Sequence, residues 1–382
     1  MAETKKRLLA LDVLRGITIA GMITVNNPGS WGHIFPPLRH AEWNGLTPTD
    51  LVFPFFMFCM GVAMFISFRK FNYQLTWQSA GKVIYRGLLI ILVGWALSWY
   101  GMSLGQLVKG TPFIDAVWTY PSQNLRFLGV LPRLGLVSIF AGLLLLLFKP
   151  KNAPFVAAAL LVGYCILQSV TGSFECNTEN FIGRFDYMLF GDDHIYHMDG
   201  IPFDPEGLLS TIPCIGHALI GAYMGMLIMT TDDMYTKINR LFIAGSIILL
   251  AGFCLDYAYP INKKLWSASF VLVTCGLASL LLGLLIWIID INGKRKWSVF
   301  FESFGVNPLF IFCMSGVIVM SIRHFYIPFN GEVYAPWSFL YNVCTRPWLG
   351  DNGGSLACAL ILVCIMWMIA YPLYKKKIYI KI

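Results

Sequence analysis

Apolar runs separated by short polar segments fill almost the whole chain. Runs of roughly 18–22 residues, about the length that crosses ~30 Å of hydrocarbon as a helix, fall near 9–26, 51–68, 83–101, 127–148 and 153–171. Five more lie near 208–229, 239–257, 268–289, 299–320 and 355–374. The pattern predicts an all-α polytopic membrane protein with about ten transmembrane helices. No repeat, soluble domain or low-complexity linker interrupts it, so residues 1–382 read as a single transmembrane domain with one long outer loop at about 172–207.

Composition agrees: 57% hydrophobic residues against 13% charged ones exclude an ordinary soluble globule. Basic residues sort the loops into two sets. Lys5, Lys6 and Arg7, then Arg69, Lys70, Lys82 and Arg86, Lys149 and Lys151, Lys237 and Arg240, Lys294 to Lys296, and Lys375 to Lys377 with Lys381 alternate with poorer segments. By the positive-inside rule both termini are cytoplasmic. That asymmetry accounts for the net charge of +8, without a nucleic-acid surface. The first run carries Asp12 and Arg15 and has no small-residue cleavage site, so it reads as an uncleaved helix. The outer face then comprises 27–50, 102–126, 172–207, 258–267 and 321–354, with five of the six histidines.

Within that face, His40, Glu42, Asn44 and Asp50 stand directly against the apolar run that opens at Leu51. Histidine exchanges protons near neutral pH, so His40 among amides and carboxylates at a bilayer edge is a candidate acid/base or acyl-accepting group. A helix-capping histidine is the plain alternative. His217 lies inside the sixth span, where an ionisable side chain is costly enough to be either a site or a satisfied packing residue between Gly216 and Gly221. Gly221 and Gly225 form a small-xxx-small pattern suited to helix packing. Eight of ten cysteines sit in apolar spans; Cys176 and Cys344, in outer loops, are the pair that a disulfide would join. His194 and His197, among Asp192, Asp193 and Asp199, read as a solvated acidic loop rather than a metal site, since no third ligand is defined.

Several elements together are more specific. Leu11-Asp12-Val13-Leu14-Arg15-Gly16, Val25-Asn26, His40-Ala41-Glu42-Trp43-Asn44-Gly45-Leu46-Thr47, Asp50-Leu51-Val52-Phe53-Pro54, Val130-Leu131-Pro132-Arg133-Leu134-Gly135, Phe203-Asp204-Pro205-Glu206-Gly207, Asn262-Lys263-Lys264-Leu265-Trp266-Ser267 and Asn307 span nearly the whole chain. This set resembles the heparan-α-glucosaminide N-acetyltransferase family and its bacterial members. The resemblance implies transfer of acetyl from cytosolic acetyl-CoA, as co-substrate, to the amine of a glucosamine-type sugar across the membrane. It implies His40 as catalytic residue with Asn26 beside it, in a site between the first spans.

The chemistry suits these residue types. An ammonium cannot attack a thioester, so a neutral imidazole at His40 either removes a proton from the amine or itself carries the acetyl group. Asn26 or Asn44 would stabilise the developing oxyanion, with helix capping as the competing role for Asn44. Asp50, Asp204 and Glu206 would orient His40 or hold a cationic amine, although Asp204-Pro205-Glu206 is equally a helix start. Arg133 is expected to anchor a carboxylate and shape the pocket. Arg69, Arg86 and Arg240, with Asn307, are the candidates for CoA, against the simpler reading that inner basic residues only set orientation.

Relative to the eukaryotic enzyme, the chain is expected to lack a large luminal domain and an additional first span, since its matching elements begin at Leu11. It also has no Asn-x-Ser/Thr site, which suits a bacterial inner membrane. Two alternatives stay open: a membrane O-acyltransferase for surface glycans, and a small-solute transporter, which should show internal repeats. A homodimer is also left open. Residues 172–207 carry eight acids against Arg184 alone, so a small unsulfated amino sugar is expected over a sulfated chain.

Overall fold

The computed structural model describes residues 8–380; the basic cluster Lys5 to Arg7 and Lys381 lie outside the described residues. The principal helices are α1 (Leu9–Asn26), α2 (Val52–Phe68), α3 (Trp77–Val108), α4 (Val130–Thr171), α5 (Phe181–Phe190), α6 (Thr211–Met229), α7 (Met234–Asp256), α8 (Ala268–Leu285), α9 (Ser298–Val306), α10 (Pro308–Ile322) and α11 (Arg346–Lys375). Sheet is confined, among the described residues, to two short antiparallel hairpins, His197–Met198 with Ile201–Pro202 and Ile327–Phe329 with Glu332–Tyr334.

Among the described residues, eight helices are long and apolar enough to cross a membrane by length and composition, or nine if one bent pair is a single span. The chain is a multi-pass membrane protein. The expected ten separate runs differ from this count for two reasons. First, runs 127–148 and 153–171 are joined in α4, which leaves helical geometry at Lys149 (φ 65°, ψ 155°) just before Pro150. A straight 42-residue helix would be about 63 Å long. Yet Arg133 near its start lies over the Trp266 ring, and Tyr164 near its end donates to the Leu265 carbonyl. Both ends therefore reach one end of the bundle, and α4 is a helical hairpin. Second, the run at 299–320 is broken: α9 and α10 meet at 87°, at Asn307, whose non-helical backbone precedes Pro308. Proline has no N–H to continue the ladder and disfavours a helical residue before it.

Capping side chains start several helices. Ser79 N–H donates to Thr76 at α3, Thr236 N–H to Asp233 at α7, and Phe270 N–H to Ser267 at α8. Glycine allows the closest crossings: a Cβ at Gly16 or Gly305 would enter backbone across the α1–α9 contact, Gly61 and Gly221 do the same for α2 on α6, and a Cβ at Gly225 would sit tightly, 3.1 Å from Phe65. Gly221 and Gly225 thus serve packing.

The loops segregate to two ends. At one end, the Trp43 indole donates to the Phe174 carbonyl, Trp337 to Pro28, and Arg126 to Asp204, tying together segments near 27–50, 109–129, 172–210, 257–267 and 323–345. At the other end, Arg69 donates to the Met229 carbonyl and Arg240 to Leu227 and Thr230. The basic loops carrying Arg69 and Arg240 thus share one end.

Candidate active site

His40 and Asp50 lie on one short loop that folds back before α2. The fold-back is local chemistry: Thr47 begins a turn with Pro48 at its first position, and Asp50 three residues later returns its carboxylate to the Thr47 N–H. Asp50 Oδ2 accepts from Thr47 N and Ala41 N, both at 3.1 Å. Its other oxygen, Oδ1, lies 2.6 Å from His40 Nδ1. Asp50 is 1% exposed, while the His40 side chain remains 43% exposed. An ionised carboxylate only accepts, so His40 carries its proton on Nδ1 and presents a lone pair at Nε2. Among the described residues, no hydrogen bond occupies Nε2.

Lys263, from the loop between α7 and α8, completes the cluster. Its Nζ is 3.4 Å from Asp50 Oδ1 and 3.1 Å from His40 Nδ1. Burial pulls the ammonium pKa down, while Asp50 and Glu206 pull it up. Lys264 donates to the Glu42 carbonyl and lies 5.9 Å from the Trp43 ring centre. Asn262 donates to Asn44 Oδ1 at 3.1 Å, and no hydrogen bond takes up the Asn44 amide hydrogens among the described residues. Asn44 therefore ties two loops together, and among the described residues its side chain caps no helix. The sequence reading gave Lys263 no role. Its motif was visible, but nothing in spacing connects it to a residue 223 positions earlier.

The other candidate residues divide. Asn26 ends α1 and is exposed; no hydrogen bond joins it to His40 among the described residues. Asp204 and Glu206 are not on His40: both bind Arg126, whose Nε lies 2.8 Å from Asp204 Oδ2 and whose Nη2 lies 2.6 Å from Glu206. Asp204 also accepts from the Glu206 N–H, a local turn bond. Arg133 is fully buried, but its partners are the Gly207 carbonyl, Ser210 and the Trp266 ring at 5.5 Å, in place of the carboxylate expected for it.

On the opposite end, Arg69 and Arg240 are committed to the last carbonyls of α6, a favourable end for cations. Asn307 spends both halves of its amide on the Ile378 carbonyl and the Ile380 N–H. Of the four CoA candidates, Arg86 is left: it is exposed, faces the like charge of Arg15, and makes no ion pair among the described residues.

The acidity of residues 172–207 is also less than its composition suggests. Asp186 and Asp204 are buried, Glu206 shares Arg126, and Glu179 pairs with Arg184 at 3.6 Å. Burial raises the Asp186 pKa to about 7, with the Leu208 N–H opposing. His197 Nε2 is 2.9 Å from Asp192, and His194 Nδ1 lies 2.8 Å from the Leu125 carbonyl. Cys176 and Cys344 are both free thiols. The His217 ring is fully buried, 6.0 Å from Trp266 and beside the Pro54 backbone.

Comparison with known proteins agrees with the motifs. The family model described as heparan-alpha-glucosaminide N-acetyltransferase, catalytic, matches residues 7–252. The chain is 28% identical over 433 aligned residues to heparan-alpha-glucosaminide N-acetyltransferase of Homo sapiens, covering 98% of this chain and 60% of the relative. With the Mus musculus protein of that name, identity is 27% over 440 residues, covering 100% of this chain and 61% of the relative. The chain thus spans about 60% of the length of these relatives.

Proposed function

This chain belongs to the heparan-alpha-glucosaminide N-acetyltransferase family, and from that premise we propose that it transfers acetyl from acetyl-CoA to the amine of a glucosamine-type sugar across a bacterial inner membrane. The observation that carries the reading is the 2.6 Å contact of His40 Nδ1 with buried Asp50. With Nδ1–H held by Asp50, Nε2 accepts a proton from the acceptor ammonium. That proton passes to water; the freed amine attacks the thioester carbonyl and loses its second proton to Nε2, the C–S bond breaks, and the thiolate leaves with the proton that the imidazolium returns. In the two-step route Nε2 attacks first and the same carboxylate stabilises the charged ring. Asn44, whose amide hydrogens no hydrogen bond takes up among the described residues, and Asn26 are the candidate donors to the oxyanion.

Termini are cytoplasmic and His40 faces outward in this proposal, supported by the shared end of the basic loops carrying Arg69 and Arg240. Arg86 is the residue proposed for a CoA phosphate. Acceptor charge differs from the expectation set by composition: Lys263 lies 3.1 Å from His40, Lys264 is held on the neighbouring Glu42 carbonyl, and several acids of the 172–207 loop are buried or paired. Repulsion of sulfated acceptors is therefore not expected. The test is transfer in sealed proteoliposomes holding glucosamine inside and acetyl-CoA outside. Acetylation of enclosed sugar by molecules with lysine-rich loops outward supports the reading; acetylation only of sugar on the same side as acetyl-CoA sinks it.

A further inference from the structure

A cavity of about 500 Å³ lies between the second half of α4 and helices α6, α7 and α8, within the size range of roughly 300–1,000 Å³ typical of small-molecule sites. Ala158, Val162, Ile166, Ile248, Leu255 and Leu272 give it an apolar wall. Val162 and Ile166 are 58% and 57% exposed, so it opens sideways to where lipid tails would lie. An apolar void forfeits dispersion contacts along its lining, and a hydrocarbon chain would restore them.

One end is not apolar. Tyr259 lines the cavity and also a small crevice with Asn44, Gln168, Leu265 and Ser267. Its hydroxyl is held 2.8 Å from Ser169. Gln168 is 1% exposed, and its Oε1 has no hydrogen-bond partner among the described residues. A buried carbonyl without a donor costs about 1–3 kcal/mol, so Gln168 is an acceptor suited to a hydroxyl or amine donor. The same crevice reaches Asn44, which Asn262 holds, and the next residue, Lys263, touches His40. The apolar cavity, an unsatisfied acceptor and the catalytic loop are therefore contiguous.

We propose that the acceptor is a lipid-linked amino sugar: its alkyl chain occupies this cavity, a sugar hydroxyl donates to Gln168 at the rim, and its amine reaches His40. This rests on the acetyltransferase reading and adds the class of acceptor. A bilayer phospholipid would fill the apolar part equally well, but it leaves unexplained why the polar rim runs into the His40 loops.

The test uses purified full-length protein, acetyl-CoA, and glucosamine compared with butyl, octyl and dodecyl glucosaminides. The expected kcat/KM rises at least tenfold from butyl to dodecyl. Ala158→Trp and, independently, Ile166→Trp fill the cavity and bring the dodecyl-to-glucosamine ratio back toward one. A chain-length effect that survives both variants reflects partition into detergent or lipid and overturns the proposal, as does a flat series with glucosamine still acetylated. Absence of transfer to every acceptor overturns the acetyltransferase reading and this proposal with it.

Discussion

Replacing Asp50 with Asn isolates the tautomer argument, because size and shape are kept while half of the carboxylate's acceptor capacity becomes a donor. Besides the Lys263 ammonium 3.4 Å from Oδ1, four donors surround this group: Ala41 N, Thr47 N, Thr47 Oγ1 and His40 Nδ1. Three of them face Oδ2, so the Asn carbonyl is expected to turn to them and direct its NH2 at His40. Nδ1 must then accept, the proton moves to Nε2, and the imidazole loses the lone pair that the reaction needs. An Asp-to-Asn exchange of this kind costs about 10⁴-fold in a buried serine-protease triad. The His40 side chain is 43% exposed, so water and ring rotation compensate in part. We expect a fall of about 10²–10³-fold in kcat, or about 3–4 kcal/mol on the barrier at about 1.36 kcal/mol per factor of ten. Steady-state assays with saturating acetyl-CoA and amino sugar read kcat, and a thermal melt shows whether the loop survives. Loss of turnover with little change in melting is the expected pair. Turnover within about threefold of the parent, in a folded Asp50→Asn protein, would refute the assignment of Asp50 as the residue that sets the His40 tautomer.

His40→Ala should abolish transfer while the melting temperature changes little, since a half-exposed ring contributes little packing; measurable turnover near the parent level removes His40 from the chemistry. Asn26→Ala should lower kcat more than it weakens acetyl-CoA binding if the amide acts on developing charge, and equal losses, read by kinetics and equilibrium titration, would make it a binding group. Asp186 has a folded pKa of about 7 against an unfolded value near 3.9, so the fold holds more protons than the unfolded chain in between. Its stabilising contribution is complete below about pH 4 and lost as pH rises through about 7. Asp186→Asn should therefore flatten the decline of thermal stability between those values, and an unchanged slope would show that other groups cause it.

The spans were legible because each apolar run is long enough to cross hydrocarbon whatever it packs against. Breaks were less so. Lys149-Pro150 and Asn307-Pro308 both carry a visible proline, but whether proline ends a helix, bends it or reverses it depends on what the next segment finds to pack on. His40 and Asp50 were legible together because they are ten residues apart on one loop. Arg126 was not, since its partner Asp204 is 78 residues away and the assignment of a charge pair is decided by tertiary packing. For the same reason Arg69, Arg240 and Asn307 looked free in sequence although carbonyls and the C-terminal segment claim them. The acidic loop misled because a charge count cannot distinguish a carboxylate facing water from one buried behind Gly207, as Asp186 is.

The central claim is that His40 delivers acetyl from acetyl-CoA to an amine. Its most direct measurement is free CoA thiol released by the purified protein, followed with glucosamine, with an N-blocked glucosamine whose hydroxyls remain, and without acceptor, in the parent and in His40→Ala. Release that requires the free amine, yields N-acetylglucosamine by mass spectrometry and vanishes in His40→Ala is the predicted result. Release supported equally by the N-blocked sugar would assign O-acetylation, and release that persists in His40→Ala would contradict the account.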